Sequence, residues 1–411
     1  MFDNHIVPGP YCPHETMSRM ETLAIIGAGL AGTECARAYV GAGGTADVIL
    51  IDPRSVPSEL PPLSKTLFAD ELNHVPLQRP DGIRLVEGEV TKVEADGRGL
   101  HLADGQRIDC NALVVAAGLR ARRPQTELPG GSVHTIRSAA DAEAIRAASG
   151  DNADIGVLGS GYLALEAARS AADAGHRVTV YLRGDRPLIG RHHEAIGRAL
   201  MEWHAEAGVN FLLDADPSDY TAHDVWIAAI GGAALTATLP EEWDRDASGH
   251  LLVDGSLRLT IDGKPAENVW ALGDIAHLAS GPLADAGPME SEATAASQGT
   301  WLGKQLAAGS TDEKWDDVPW HWSFQGPERV FAAGRVTGTD TAIVSGDEQS
   351  GRFQVLHFID GVLSGVETLN QPPAHNAARK ILALPPASRP TTSDAAGGVL
   401  DLRAWVRRLR S

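Results

Sequence analysis

Between residues 22 and 52 the chain changes character at regular intervals. An apolar run with Leu23, Ile25 and Ile26 stops at Gly27. Small and apolar residues then recur at helical spacing until Gly43 and Gly44, and a second apolar run, Val48 to Ile51, ends at Asp52. Short apolar runs bounded by glycine predict buried strands, and the stretch between them predicts a helix. The same succession returns in "IGVLGSGYLALEAARSAADAGHRVTVYL", which ends at Leu182. Two such units predict two dinucleotide-binding folds rather than one fold with a spare loop. "ALVVAAG", Ala112 to Gly118, predicts a further strand with a glycine exit.

After Ala228 the pattern shifts. "ENVWALGDIAHL" predicts a short strand running into Gly273 and Asp274, and "ESEATAASQGTWLGKQLAAG" a helix of small residues. Beyond Trp315, "GRFQVLHFIDGVLSGVETL" alternates around Asp360-Gly361, the signature of a hairpin and of a separate αβ domain. Residues 385–398 read as a flexible linker by composition. In the last stretch Leu402, Val406 and Leu409 share one helical face and Arg403, Arg407 and Arg410 another, which predicts a basic amphipathic helix over 399–411.

Composition narrows the class. At 411 residues and 43% hydrophobic content, the chain has enough apolar material for two or three cores. No apolar run approaches the ~20 residues that span a bilayer. The formal charge of −19 argues against nucleic acid and anionic membranes as partners. Residues 1–20 hold no apolar signal core and read as a loose leader. Cys12, Cys35 and Cys110 form no close pair, which fits a cytoplasmic protein, and Cys35 sits where a helix expects core packing.

The candidate chemistry begins at the glycines. Gly27, Gly29 and Gly32 match GxGxxG: the first permits a tight turn, the second lets a pyrophosphate approach, and the third lets helix and strand pack closely. Asp52, ending the next strand, is suited to accept hydrogen bonds from a ribose. Its place between strand and helix, with an acid following, makes the motif specific. The second loop carries Gly159, Gly161 and Ala164, with Glu166 one turn into its helix.

"PPLSK" (Pro61 to Lys65), "AAG" at Ala116 to Gly118, "IRSAADAEAIRAA" from Ile136, "WALGD" ending at Asp274, "ESEATAASQG", "VPWHWSFQ" and "GVETLNQPPAHNAARKIL" follow in a set order. From Glu21 to about Leu384 the chain resembles the flavin-dependent ferredoxin reductases of oxygenase systems, the putidaredoxin reductase and biphenyl dioxygenase ferredoxin reductase type. The resemblance implies an α/β fold with two Rossmann-like dinucleotide-binding domains, for FAD and NAD(P), and a C-terminal αβ interface domain. It divides the chain into an FAD-binding domain over 21–130 and 251–312, a shortened NAD(P)-binding domain over 131–250, and a C-terminal domain over 313–384. Gly27, Gly29, Gly32, Asp52, Lys65, Val90, Ala117, Arg137, Gly273, Asp274 and Trp322 are then expected around FAD. Gly159, Gly161, Tyr162, Leu163, Ala164, Glu166, Arg183 and Gly231 are expected around NAD(P)H. Lys65 and Glu166 match a pair beside the flavin N5, and Trp322 an aromatic residue against the flavin. These three are the candidate catalytic residues, and no metal site is expected.

The resemblance implies hydride transfer from NAD(P)H to FAD and single-electron transfer to a [2Fe-2S] ferredoxin feeding a Rieske oxygenase or a cytochrome P450. Arg403, Arg407 and Arg410 are candidates for docking an acidic ferredoxin, and the protein is expected as a monomer or homodimer. No cysteine pair of the disulfide-reductase kind follows Asp52, so electrons must leave the flavin directly. Departures gather at the second loop. Leu182 stands where NADH-using relatives carry Glu, with Arg183 and Arg186 after it, and Glu292 and His321 stand where aromatic residues are frequent. Two alternatives remain open at this point: a flavin oxidase or reductase of a small biosynthetic molecule, and an FAD-binding protein whose nicotinamide site has decayed.

Overall fold

A computed structural model describes residues 20–54, 61–69, 76–77, 81–281, 283–310, 313–397 and 400–408. The strand Thr22–Ile26, apolar on both faces, runs through the middle of an eight-stranded sheet. It pairs in parallel with Asp47–Asp52 on one side and Ala112–Val115 on the other. The chain leaves this sheet after Ala112–Val115 and returns to it with Leu251–Val253, Arg258–Ile261 and Lys264–Ala271, the last pairing directly with Ala112–Val115. The helix Leu30–Gly41 lies against the helix Glu292–Ala308 with their backbones in contact. A Cβ added to Gly299 would stand 2.4 Å from the Ala31 carbonyl oxygen, and one on Gly303 2.3 Å from that of Cys35. Small residues there serve packing, and so does Cys35, whose thiol burial pushes up to about 12.

A second sheet orders Val209–Leu212, Arg177–Tyr181, Asp154–Leu158, His223–Ala228 and Gly130–His134, all parallel. Ile155, Val157, Val178, Val180 and the alanines of the helix Tyr162–Asp173 form its core, which also takes in Leu182.

The C-terminal unit is a five-stranded antiparallel sheet with the helix Pro372–Leu382 on one face. Its hairpin joins Arg352–Ile359 to Val362–Leu369 through Asp360 (φ 51°) and Gly361 (φ 72°), the left-handed pair a tight turn requires. Of the stretch 385–398, expected as a flexible linker, the described residues 385–397 are instead tied down over much of their length. Leu363 N–H donates to the Pro390 carbonyl at 2.9 Å, Thr392 N–H to that of Gly361 at 3.0 Å, and Thr391 and Asp394 form a capping box. The last helix, Leu402–Arg408, buries Leu402 in the same core. Leu409, Arg410 and residues 1–19 of the leader, with Cys12, lie outside the described residues.

Candidate functional site

The first glycine turn is shaped by its backbone. Gly27 has φ 99°, and a Cβ on it would lie 2.3 Å from the Ala116 carbonyl oxygen. On Gly32 a Cβ would lie 2.0 Å from the Gly27 carbonyl oxygen. Gly29 differs: an added Cβ meets no atom within 4 Å, so open space faces the helix N-terminus. That opening, with helical N–H groups behind it, fits a pyrophosphate.

Asp52, at the end of the strand Asp47–Asp52, bonds to the turn and to a neighbouring side chain. It is buried, accepts the Ala28 N–H at 2.8 Å, and is held by Arg54 through Nε at 2.9 Å and Nη2 at 3.0 Å. Burial pushes its carboxyl up, but the hydrogen bonds and charge of Arg54 and the Ala28 N–H outweigh this and hold it below its ordinary value. Arg54, half-exposed beside it, is the group turned outward, and sequence reasoning had passed over it.

Asp274 comes from the returning part of the chain, directly after the strand Lys264–Ala271. Gly273 N–H donates to Gln298 Oε1 at 2.8 Å, and Arg137 Nη2 stands 3.7 Å from Asp274 Oδ2. Burial raises the Asp274 carboxyl, against the pull of Arg137 and His250. Gly118 (φ 67°) lies beside Arg137, and Ala117 packs on the first core. Val90 sits on a three-stranded antiparallel sheet opposite Leu102, half-buried against that core.

Lys65, Glu166 and Trp322 come from three different parts of the fold and meet. Lys65 Nζ is 2.9 Å from Glu166 Oε1 and 4.6 Å from the centre of the Trp322 ring. Glu166 is only 3% exposed, and the hydroxyls of Ser64 and Ser323 donate to its two oxygens. Gln325 Nε2 in turn donates to Ser323 Oγ at 2.7 Å. The buried carboxylate therefore has a cation and two hydroxyls, the condition under which a buried charge is tolerated. Ser64 and Ser323 were missed from sequence. Their only signal was adjacency, Ser64 inside "PPLSK" and Ser323 after Trp322.

The second glycine turn repeats the geometry of the first. A Cβ on Gly159 would lie 2.3 Å from the Ala229 carbonyl oxygen, whereas one on Gly161 meets nothing within 4 Å. Ala164 is fully buried between helix and strand, and Leu163 is exposed. The Tyr162 ring packs 5.1 Å from His192 and 5.7 Å from His321. Gly231 (φ 94°) borders open space. Leu182 has no exposed surface, so its side chain belongs to the core, while Arg183 after it is exposed. Arg186 pairs with Asp185 at 2.7 Å.

Arg403 and Arg407 are exposed on the last helix, Arg407 3.6 Å from Asp401. Among the described residues no group of three or more His, Cys, Asp or Glu side chains is arranged to hold a metal ion, and no helix is long and apolar enough to cross a membrane.

Residues 21–299 match the family model described as pyridine nucleotide-disulphide oxidoreductase, and residues 320–406 that described as reductase C-terminal. Rhodocoxin reductase of Rhodococcus erythropolis is 31% identical over 94% of this chain and 95% of its own. Putidaredoxin reductase of Pseudomonas putida is 27% identical over 89% and 92%. The covalent putidaredoxin reductase–putidaredoxin complex superposes with a TM-score of 0.78 at 25% identity, over 88% of this chain and 93% of that one. The ferredoxin reductase for the CYP199A2 system from Rhodopseudomonas palustris does so with a TM-score of 0.80, also at 25% identity, over 93% and 99%.

Proposed function

Because the chain belongs to the pyridine nucleotide-disulphide oxidoreductases, and among them to the ferredoxin reductases of oxygenase systems, we propose that it carries electrons from NAD(P)H through FAD to a [2Fe-2S] ferredoxin. That ferredoxin would serve a Rieske oxygenase or a cytochrome P450. Bound FAD supplies the conversion of a two-electron hydride into single electrons. The first turn, through Gly27, Gly29 and Gly32, would hold its pyrophosphate, with Arg137 and Asp274 on its polyol chain. The second turn, through Gly159 and Gly161, would hold NAD(P)H. Lys65 supplies a fixed ammonium where negative charge accumulates, and Glu166, steadied by Ser64 and Ser323, keeps that ammonium oriented. Trp322 forms a flat wall beside it. Hydride transfer then depends on placement and needs no acid–base residue.

The observation that carries this reading is the Lys65–Glu166 pair at 2.9 Å beside Trp322, with both glycine turns open to a ligand. An acidic ferredoxin docked by Arg403, Arg407 and Arg410, a monomeric or homodimeric state and a cytoplasmic location complete the proposal. Anaerobic titration of the yellow protein with NADH and NADPH tests it. The flavin should bleach with at least one of them and recover on adding oxidised [2Fe-2S] ferredoxin. No bleaching would favour a decayed nicotinamide site, and reoxidation by oxygen but not by ferredoxin would favour an oxidase.

A further inference from the structure

We propose that Glu367 is a positioning residue for the nicotinamide nucleotide, acting through the loop 183–193, which it clamps to the C-terminal domain. The inference rests on the assignment of NAD(P)H to the second glycine turn. Glu367 lies on the strand Val362–Leu369 and has no exposed surface. A carboxylate there is costly unless fully paired, and an apolar residue of similar size would serve the sheet at least as well.

Its partners come from two units. His357 Nε2, on the neighbouring strand, is 2.6 Å from Oε2. Across the boundary, His192 Nδ1 is 2.5 Å from Oε1, and the His193 backbone N–H donates to Oε2 at 3.2 Å. Burial pushes the Glu367 carboxyl up, but the hydrogen bonds and charges of the two histidines more than offset this and hold it below its ordinary value.

The middle of the loop reaches the glycine turn itself. Leu188 N–H donates to the Ser160 carbonyl oxygen at 2.9 Å, between Gly159 and Gly161. Leu188 is buried and has φ 60°, a left-handed conformation that a branched side chain rarely adopts, so the surrounding contacts must hold it there. Arg191 and His192 N–H groups both donate to the Leu188 carbonyl oxygen, at 3.0 and 3.1 Å. The His192 ring also packs on Tyr162, the first residue of the helix that follows the turn. Polar contacts thus run without a break from Ser160 through Leu188 and His192 to Glu367. The C-terminal domain thereby sets the register of the loop over the turn, and releasing Glu367 loosens the nucleotide site while leaving the Lys65–Glu166 pair in place.

The test uses the FAD-containing protein with Glu367→Gln, the milder His192→Gln, and the double variant. Each should retain stoichiometric flavin and a limiting rate of flavin reduction close to wild type. Calorimetry with NAD+ and NADP+ should show binding weakened about tenfold in each single variant, with KM for NAD(P)H rising in step. The double variant should be no worse than the weaker single, because both break one clamp. Unchanged nucleotide affinity in the folded variants, or additive losses in the double, would overturn the proposal. Gly161→Leu serves as reference. If it leaves NAD(P) binding intact, the assignment of the turn is at fault; if it abolishes binding while the clamp variants do not weaken it, the clamp is.

Discussion

Leu182 and Arg183 bear on which nicotinamide the protein prefers. With Leu182 in the core, the strand end offers no carboxylate of its own to accept both ribose hydroxyls or to repel a 2′-phosphate. Arg183 is exposed at that spot. NADPH should therefore be used at least as well as NADH, a charge-assisted contact contributing ~1.5–3 kcal/mol, roughly tenfold to hundredfold. Because Leu182→Glu would bury a carboxylate, Arg183→Ala is the cleaner probe. It should lower kcat/KM for NADPH about tenfold and leave that for NADH unchanged. Equal losses with both nucleotides would remove Arg183 from the phosphate site.

Two further substitutions follow from the geometry around the turns. Gly29→Leu enters open space, so the chain should fold and yet lose its flavin, read as the absorbance of the purified protein. Lys65→Met should keep flavin but slow its reduction roughly hundredfold, in the range of a lost electrostatic stabiliser. In a double-mutant cycle with Glu166→Gln the two losses should overlap, since each breaks the same 2.9 Å pair.

Legibility differed sharply from element to element. Both glycine turns could be read because strand, turn and helix are contiguous in sequence and each step has a local steric cause. The Asp360-Gly361 hairpin could be read for the same reason. Proximity across the fold could not: Ser323 reaches Glu166, and Glu367 reaches His192, only after separate units have docked. Residues 385–398 misled because Pro, Ser and Thr suggest a solvated tether, whereas over 385–397 a capping box orders the stretch and two backbone hydrogen bonds fasten it to the hairpin around Asp360-Gly361. This changes what the last helix can do. Since Leu402 anchors it, Arg403 and Arg407 are presented at a fixed place rather than on a swinging tail. Reversing both charges should slow ferredoxin-linked cytochrome c reduction and flatten its dependence on salt. Unchanged rates would leave the helix a packing role alone.

For the molecule as a whole, two histidines, His375 buried and His321 half-buried, should govern its acid stability. Burial, with the charge of His192, lowers His321 to about 3, and burial, with Arg379, lowers His375 to about 4. In the unfolded chain both titrate near 6.5. Below that value the unfolded state binds protons that the folded state refuses, so stability falls as the pH drops towards 4, by up to about 1.4 kcal/mol per pH unit for each ring. Denaturant midpoints between pH 7 and 5 should show this slope, and His321→Phe should reduce it by about half of the two-ring contribution. An unaltered slope would mean that His321 is protonated in the folded protein.

The backbone contact between the helices Leu30–Gly41 and Glu292–Ala308 has a further consequence, for the order of events at the ribosome. The first helix emerges early, yet the glycines against which it rests, and the strand Lys264–Ala271 that completes its sheet, are made only after the whole nicotinamide unit. The middle of the chain, whose parallel strands find their neighbours close in sequence, can fold while the first unit still waits with one flank bare. Flavin capture is then a late step, following release of the Gly299 and Gly303 stripe from the exit tunnel. Nascent chains arrested before that stripe should resist protease across 131–228 and hold no flavin, and chains arrested well beyond it should acquire both.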